Sequence, residues 1–493
     1  MADKLKMYID GEWCASGDGA YKEIINPCDG CAIAYAPQGT RDDARRAIAA
    51  AKRAFCADGW DETPKGKLSE LLLSFASLME ENVGRLARAE TLNTGKALIE
   101  SEYDVYDSVG VVRYYAGLAN KPTGQTYGVA ADPNIMAMTV REPIGVCGMI
   151  SAWNFPISLA IWKIAPALAA GNTIVFKPAQ ITPMSAVILF ELLEQAGFPK
   201  GVANLVLGSG PAVGDEIATN PDVGKVAFTG GLAAGQSVMR AAAGGVKSVS
   251  LELGGKSPSI MFADADFDTA VDYALFGMFY NQGEVCSASS RILVEDAIYD
   301  RFMEAFVAKT AAIKIGNGLE DGVRMGPLIS AEHMETVLGY IDMGVKEGAK
   351  LAFGGKRLTD GALAKGFFVQ PAIFTDVRED MRIVKEEIFG PVVVVQRFHG
   401  EEEAIRLANA TDYGLAAGVF SGDVSKALRV VRKLRAGITW VNTYGPVYPE
   451  APWGGYKMSG VGRELGTYGL DDYSEVKQIN INTRPAPTGW FGG

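Results

Sequence analysis

Histidine is almost absent from this sequence, with two, His333 and His399, in 493 residues. That scarcity removes the material for a Ser-His-Asp triad or a histidine-rich metal site, so a general base has to be a carboxylate and a nucleophile a thiol. Cysteine is sparse as well. Cys14, Cys28, Cys31, Cys56, Cys147 and Cys286, in so long a chain without an export signal, describe free thiols in a reducing compartment rather than a disulfide framework. Cys28-Asp-Gly-Cys31 has the spacing of half a metal site, but no second pair follows and neither histidine is near, so a turn after Asn26-Pro27 is expected and no metal. Basic surplus is missing too: the net charge of −11 and the lack of a Lys/Arg block exclude a polyanionic partner such as nucleic acid. Nor is there a long hydrophobic run. The most apolar stretch, Ile157 to Phe176, is interrupted by Lys163, Pro166 and Asn172, which argues against a membrane span. The polar start Met-Ala-Asp-Lys-Leu-Lys has neither the apolar core nor the cleavage site of a signal peptide, so a cytoplasmic protein is expected.

What is present is the balance of an ordinary globular chain, 48% hydrophobic and 21% charged, long enough for two to four domains because single cores stop growing at about 250–300 residues. Short apolar or β-branched runs at Val146–Ser151, Thr173–Lys177, Ala203–Leu207, Val223–Phe228 and Ser248–Leu253 alternate with helical patterns, including Pro183–Ala196. Such alternation predicts a parallel sheet with crossover helices and ligands at its strand ends. A second series, Pro258–Phe262, Arg291–Glu295, Val392–Arg397, Ala416–Ser421 and Gly437–Asn442, predicts another α/β domain, with a helix at Tyr299–Ile313. Upstream, Arg41–Phe55 and Lys65–Asn93 carry helical periodicity and are expected to pack on the first sheet. Thr483 to Trp490, with two prolines, reads as an extended tail.

The chemistry gathers around Asn281-Gln-Gly-Glu-Val-Cys286-Ser-Ala, where a cysteine follows a glycine-containing turn and precedes small residues. Alone, such a cysteine is more often an inert buried thiol. It stands, however, in one ordered series with Trp153-Asn-Phe-Pro156, Phe176-Lys-Pro178, Phe228-Thr-Gly230, Leu251-Glu-Leu-Gly-Gly255, Glu386-Glu-Ile-Phe-Gly-Pro391 and Gly454-Gly-Tyr-Lys-Met-Ser-Gly460. Over nearly the whole chain this series resembles the aldehyde dehydrogenase superfamily, and most closely its betaine-aldehyde and ω-aminoaldehyde dehydrogenases.

The resemblance implies NAD(P)+-dependent oxidation of an aldehyde to a carboxylic acid. Cys286 matches the nucleophile, Asn154 the oxyanion donor, Glu252 the base that hydrolyses the thioester, and Glu464 a glutamate proposed for proton relay. Read without it, Asn154 braces a turn, Glu252 is a salt-bridged strand end and Glu464 a surface residue, although the apolar setting Ser250-Leu-Glu-Leu-Gly would raise the Glu252 pKa. For the cofactor it implies Trp153, Lys177 (adenosine ribose), Glu387 (nicotinamide ribose) and Phe389 (beside the nicotinamide). Gly230, Gly231 and Gly235 lie between a strand and a helix, where backbone can approach a pyrophosphate, although relatives often have serine at the position of Gly231. Gln180 replaces a glutamate of many NAD-preferring relatives, which points to NAD+ as the main cofactor with appreciable NADP+ use.

For the substrate, Phe155, Trp162 and Trp453 match aromatic residues of an aldehyde tunnel, and Tyr448 and Glu450 stand close in sequence to the last of them. Aromatic faces attract a quaternary or primary ammonium group by about 0.5–2 kcal/mol each. A tunnel for neutral aldehydes, or plain core packing, remains the alternative, as does a silent crystallin-like protein on the same fold. A CoA-acylating relative is disfavoured by the presence of Glu252. The implied architecture is a Rossmann-like nucleotide-binding domain (1–127 and 148–255), an α/β catalytic domain (256–446), and a small β oligomerisation element with the C-terminal segment (128–147 and 447–493). Val476–Asn482 alternates as a strand whose exposed edge needs a partner chain, giving an expected homodimer or homotetramer.

Overall fold

The computed structural model describes residues 3–121 and 124–492. Met1 and Ala2 of the polar start, Pro122 and Thr123 in the first expected span, and Gly493 of the last lie outside the described residues.

Val146–Ile150, Thr173–Lys177 and Lys225–Thr229 are buried at every position, which only a strand covered on both faces can be, and they form the centre of the first sheet. Its order is Gly460–Val461, Ser248–Glu252, Lys225–Thr229, Val146–Ile150, Thr173–Lys177, Ala203–Leu205, Met7–Ile9 and Glu12–Cys14. The strands from Ser248–Glu252 through Ala203–Leu205 run parallel, and antiparallel strands close both edges. Among the parallel strands the chain lays down Val146–Ile150 first, moves one way through two strands, then returns to add Lys225–Thr229 and Ser248–Glu252 on the other side. That reversal opens a crevice beyond the carboxyl ends of Val146–Ile150 and Lys225–Thr229.

Between the first two central strands runs the helix Pro156–Ala170, every residue of which is buried. A helix apolar all round belongs inside a protein. Proline at its first position needs no N–H, and it packs against the helices Leu98–Leu118 and Lys65–Glu81.

A second sheet takes the order Lys350–Gly354, Ala372–Thr375, Val392–Phe398, Arg291–Glu295, Pro258–Met261, Ala416–Phe420 and Ile438–Val441, parallel except for its first pair. A third, small sheet joins Thr126–Gly128, Ile135–Pro143 and Ser474–Asn482, with Val476 opposite Arg141. Its outer strand keeps Val476 and Ile481 exposed. No helix among the described residues is long and apolar enough to cross a membrane.

Four sequence expectations need correction. Lys65–Asn93 is two helices, Lys65–Glu81 and Val83–Thr94, because Asn82 turns its side chain back to the Leu78 carbonyl (2.8 Å). The first of these packs on other helices rather than on the sheet; Arg41–Cys56 does lie on the sheet. Val146 and Cys147, which the span 128–147 gave to the small element, belong to the first sheet, where the expected strand Val146–Ser151 had them. The C-terminal segment likewise sends Gly460–Val461 to that sheet's edge, pairing Gly460 with Glu252.

Candidate active site

Between the two large sheets lies a cavity of about 1070 Å³. Its floor comes from loops that leave strand ends: Ser151–Asn154 follows Val146–Ile150, Gly230 and Gly231 follow Lys225–Thr229, and Glu252 ends Ser248–Glu252. Cys286, half-buried, enters from the other side on the loop after the turn Tyr280–Gly283.

Cys286, Asn154 and Glu252 all border this space. Burial, followed by the nearby Glu252 and Glu387 charges, pushes the Cys286 thiol up to about 12, so it rests protonated. Glu252 is driven well above the usual carboxylate range, first by burial and then by Glu464, with Lys163 opposing; its Oε1 has no hydrogen-bond partner. Asn154 Nδ2 donates to the Glu284 carbonyl (2.9 Å), which fixes the amide beside the peptide chain leading to Cys286.

Glu464 is a buried residue, not a surface one. It forms a 2.6 Å ion pair with Lys163, whose ammonium also donates to Thr229 Oγ1 at 2.6 Å, and its other oxygen has no partner. Backbone hydrogen bonds in both directions tie Glu464 to Trp453.

On the cofactor side, Trp153, Gly230, Gly231, Glu387 and Phe389 line the cavity. Gly231 caps the helix Leu232–Ala243 without a side-chain hydrogen bond, and a Cβ there would meet nothing within 4 Å, so the helix N-terminus is open to an anionic group. This backbone cradle fits a dinucleotide pyrophosphate. Gly235 acts in packing instead, since a Cβ there would lie 2.5 Å from Leu253 Cδ2; its bareness lets the helix sit close on the sheet, and it stays outside the cavity. Lys177 is buried, its Nζ bonded to the Pro178 carbonyl (3.1 Å), and desolvation lowers its pKa to about 8. Gln180 is held by Gln38 and by Lys22 (3.5 Å). Both lie off the cavity wall, which is lined between them by Ala179. Glu387 accepts from Gly255 N (3.1 Å), and burial raises its carboxyl to about 7.

On the substrate side, Phe155, Trp162 and Trp453 line the wall, the two indoles 5.4 Å apart. Tyr448 does not reach it: the residue is 56% exposed, and the lining ends at its neighbour Val447 before resuming at Trp453. Glu450 is exposed as well. Phe155 is already engaged, with the buried Lys96 ammonium 4.1 Å from its centroid and Tyr280 stacked at 6.2 Å.

Sequence reading missed several residues here. Glu100, Asp104 and Asp107, from the helix Leu98–Leu118, border the cavity, and Lys96 pairs with Asp104 at 2.7 Å. Their spacing of three and four was the available signal, since it sets them on one helical face. Lys163 was visible as the one charge in an apolar helix, which burial obliges to be paired. His333, also on the wall, donates from Nε2 to the Phe389 carbonyl (2.6 Å) and packs edge-on against Trp153 (5.4 Å); burial lowers its pKa. Among the described residues no cluster of His, Cys, Asp or Glu is suited to a metal.

Comparison with known proteins agrees with this geometry. The aldehyde dehydrogenase family profile matches residues 13–479. The betaine aldehyde dehydrogenase of Bacillus subtilis (strain 168) is 51% identical over 485 residues, covering 98% of this chain and 99% of the relative. An aldehyde dehydrogenase of Emericella nidulans is 43% identical over 477 residues, 97% of this chain and 95% of the relative. The crystal structure of the Staphylococcus aureus betaine aldehyde dehydrogenase in complex with NAD+ superposes with a TM-score of 0.98 at 46% identity, over 99% of this chain and 97% of that one. With a matching profile over nearly its full length and a relative 51% identical over 98% of it, the chain belongs to the aldehyde dehydrogenase family.

Proposed function

We propose that this protein oxidises a cationic aldehyde, a betaine aldehyde or ω-aminoaldehyde, to its carboxylic acid with NAD+. The observation that carries the reading is the meeting of Cys286, Asn154 and Glu252 around one cavity that continues into a wall of indoles and carboxylates. The B. subtilis and S. aureus relatives, named for betaine aldehyde, support the same substrate class.

The thiol of Cys286 loses its proton to water in the cavity, and Glu252, a stronger base because burial pushes its carboxyl up, is kept for the hydrolysis that follows. The thiolate attacks the carbonyl carbon, and the second N–H of the Asn154 amide and the Cys286 peptide N–H receive the oxyanion. When bound, NAD+ supplies the acceptor for the hydride that leaves this carbon; Trp153, Phe389 and the Gly230–Gly231 turn would hold it. A thioester remains on Cys286. Glu252 then takes a proton from the water that attacks the thioester carbon, the C–S bond breaks, and the acid departs. Glu464, whose second oxygen has no partner and whose charge acts on Glu252, would take that proton on through water.

Cys286→Ala should abolish turnover while NAD+ affinity stays within about twofold, because the thiol makes bonds to substrate rather than to nucleotide. Glu252→Gln should give a burst of reduced cofactor followed by slow turnover. Retained steady-state oxidation in the first variant, or equal slowing of burst and steady state in the second, would remove these roles.

Selection for a positive substrate is assigned to Asp107, because Asp272, another carboxyl on that wall, is exposed to solvent. Asp104 already has Lys96, and Glu100 accepts two backbone N–H groups, whereas Asp107 is raised to about 7 by burial and then by Asp104, with no hydrogen bond to offset it. Below pH 7 it is therefore neutral, and above pH 7 ionised. The kcat/KM ratio of betaine aldehyde to a neutral isostere should rise about three- to fivefold from pH 6 to pH 8, as befits a partly exposed ion pair. Asp107→Asn should flatten that rise. A ratio near one at all pH values favours the neutral-aldehyde reading, which the prior engagement of Phe155 by Lys96 supports.

For the cofactor we infer that NADP+ is also used, because Gln180, one residue beyond the cavity-lining Ala179, carries no charge and Lys22 stands beside it. Gln180→Glu should lower kcat/KM for NADP+ at least about tenfold and leave NAD+ within about threefold, as expected for a charge set against a 2′-phosphate. NADP+ activity too low to measure in the parent enzyme would contradict this.

We further propose a cytoplasmic homodimer or homotetramer joined through the small sheet, whose edge strand Ser474–Asn482 leaves Val476 61% exposed. Sedimentation at working concentration should give two or four chains; a monomer would defeat the assembly.

A further inference from the structure

Directly before the nucleophile loop, three successive residues hold left-handed backbone: Asn281, Gln282 and Gly283, with φ of 47°, 56° and 74°. Asparagine tolerates this region and glycine is free in it, but a glutamine is strained there, so the turn persists only because its surroundings hold it. The Asn281 N–H donates to Glu100 Oε1 (3.1 Å), a carboxylate whose other oxygen accepts from Ala97 N (3.2 Å). Gln282 Oε1 accepts from Gly326 N (3.2 Å). Gly283 has no space for a side chain, since a Cβ would stand 2.6 Å from the Gly390 carbonyl oxygen.

Inside this turn the Asn281 side chain is fully committed. Its Nδ2 donates to the Asn154 carbonyl (3.0 Å) and to the Glu284 carbonyl (3.3 Å), and its Oδ1 accepts from Gln282 Nε2 (3.2 Å). The Glu284 carbonyl is also the acceptor for Asn154 Nδ2 (2.9 Å). One buried amide thus ties the backbone of Asn154 to the peptide two residues before Cys286, and that peptide in turn holds the Asn154 side chain. The Glu284 carboxyl fastens the far side, accepting from Ile329 N (2.9 Å).

We propose that Asn281 is a positioning residue that sets the Asn154 amide and the Cys286 peptide N–H at the separation an oxyanion requires. The proposal rests on the roles given above to Cys286 and Asn154. An amide nitrogen carries two hydrogens; one of the Asn154 pair goes to the Glu284 carbonyl, which leaves the other for the cavity. Without the Asn281 amide, the Asn154 carbonyl loses its partner in a buried site and the Glu284 carbonyl keeps only one donor. The turn is then free to relax, carrying the donor pair out of register. A buried network of this kind works only when every member is satisfied.

The test is hydride transfer in a single turnover, with enzyme and NAD+ in excess over the aldehyde. Asn281→Gly keeps the left-handed backbone and the bond to Glu100 but deletes the amide. Its rate constant should fall about 10- to 100-fold, the scale of disturbing an oxyanion contact, with the NAD+ dissociation constant within about twofold of the parent. In an Asn154→Ala background the same substitution should change the rate less than about threefold, because a residue acting through Asn154 has nothing left to position. Should Asn281→Gly fail to fold, Asn281→Asp keeps the shape and sets an oxygen against two carbonyls, and the same pair of measurements applies. A rate within threefold of the parent overturns the proposal, and so does a full loss repeated in the Asn154→Ala background. If Asn154→Ala alone leaves the rate unchanged, the oxyanion role itself fails and the proposal falls with it.

Discussion

The ion pair between Lys163 and Glu464 is the interaction on which the site depends most. An ammonium inside an all-apolar helix loses its hydration, a cost of several kcal/mol that only a well-placed partner offsets. Here the partners are a carboxylate and the Thr229 hydroxyl, each at 2.6 Å. Three elements meet in that contact: the helix that begins just after Asn154, the end of the strand that leads to Gly230, and the C-terminal segment that carries Trp453. Loss of either charge would leave the other uncompensated in a dry interior, so the pair fixes the wall of the cavity as well as its electrostatics. Glu464 also lies close enough to Glu252 to push its carboxyl up, on top of burial. One contact therefore assembles the wall and sharpens the base.

The same dryness explains the resting state. Burial raises Cys286, Glu252 and Glu387 together, which means the site disfavours every negative charge the chemistry needs. Charge is admitted only where a donor or a cation meets it. On the proposed mechanism, the donors for the oxyanion are fixed in advance by the Asn154 to Glu284 hydrogen bond and the left-handed turn behind it. A prearranged donor pair needs no reorganisation as charge develops, which is where electrostatic stabilisation gains over water.

Some of this was legible in the sequence, and the reasons differ by residue. Thr173–Lys177 and Arg291–Glu295 match the expected strands to the residue, because apolar β-branched runs cut off by polar or turn residues have little choice inside a parallel sheet. The break at Asn82 was hidden, since helical periodicity continues across it and only a local side-chain bond interrupts the backbone. Cys286, Asn154 and Glu252 could be named from the motifs around them. The burial of Glu464 could not, because the lysine that pairs with it is 301 residues away in the chain. Tyr448 misled for the opposite reason: it is near Trp453 in sequence, but loop direction decides where a ring points.

The substrate wall shows how far aromatic composition underdetermines binding. Phe155, Trp162 and Trp453 together suggest a cation cage, yet the nearest cation to Phe155 is the protein's own Lys96, 4.1 Å from the ring centroid. A quadrupole already polarised by one buried ammonium has less to offer a second. Lys96 also cancels Asp104 at 2.7 Å, and Glu100 is occupied by the backbone of Ala97 and Asn281. Beyond these prior engagements stand a pair of indoles, the exposed Asp272, and the half-buried Asp107, whose ionisation is the proposed determinant of whether an ammonium group gives up its water there. On the proposed assignment, discrimination between charged and neutral aldehydes falls to a helix that no motif marks, well ahead of the loop that carries Asn154, and would follow the ionisation of Asp107, which burial raises to about 7.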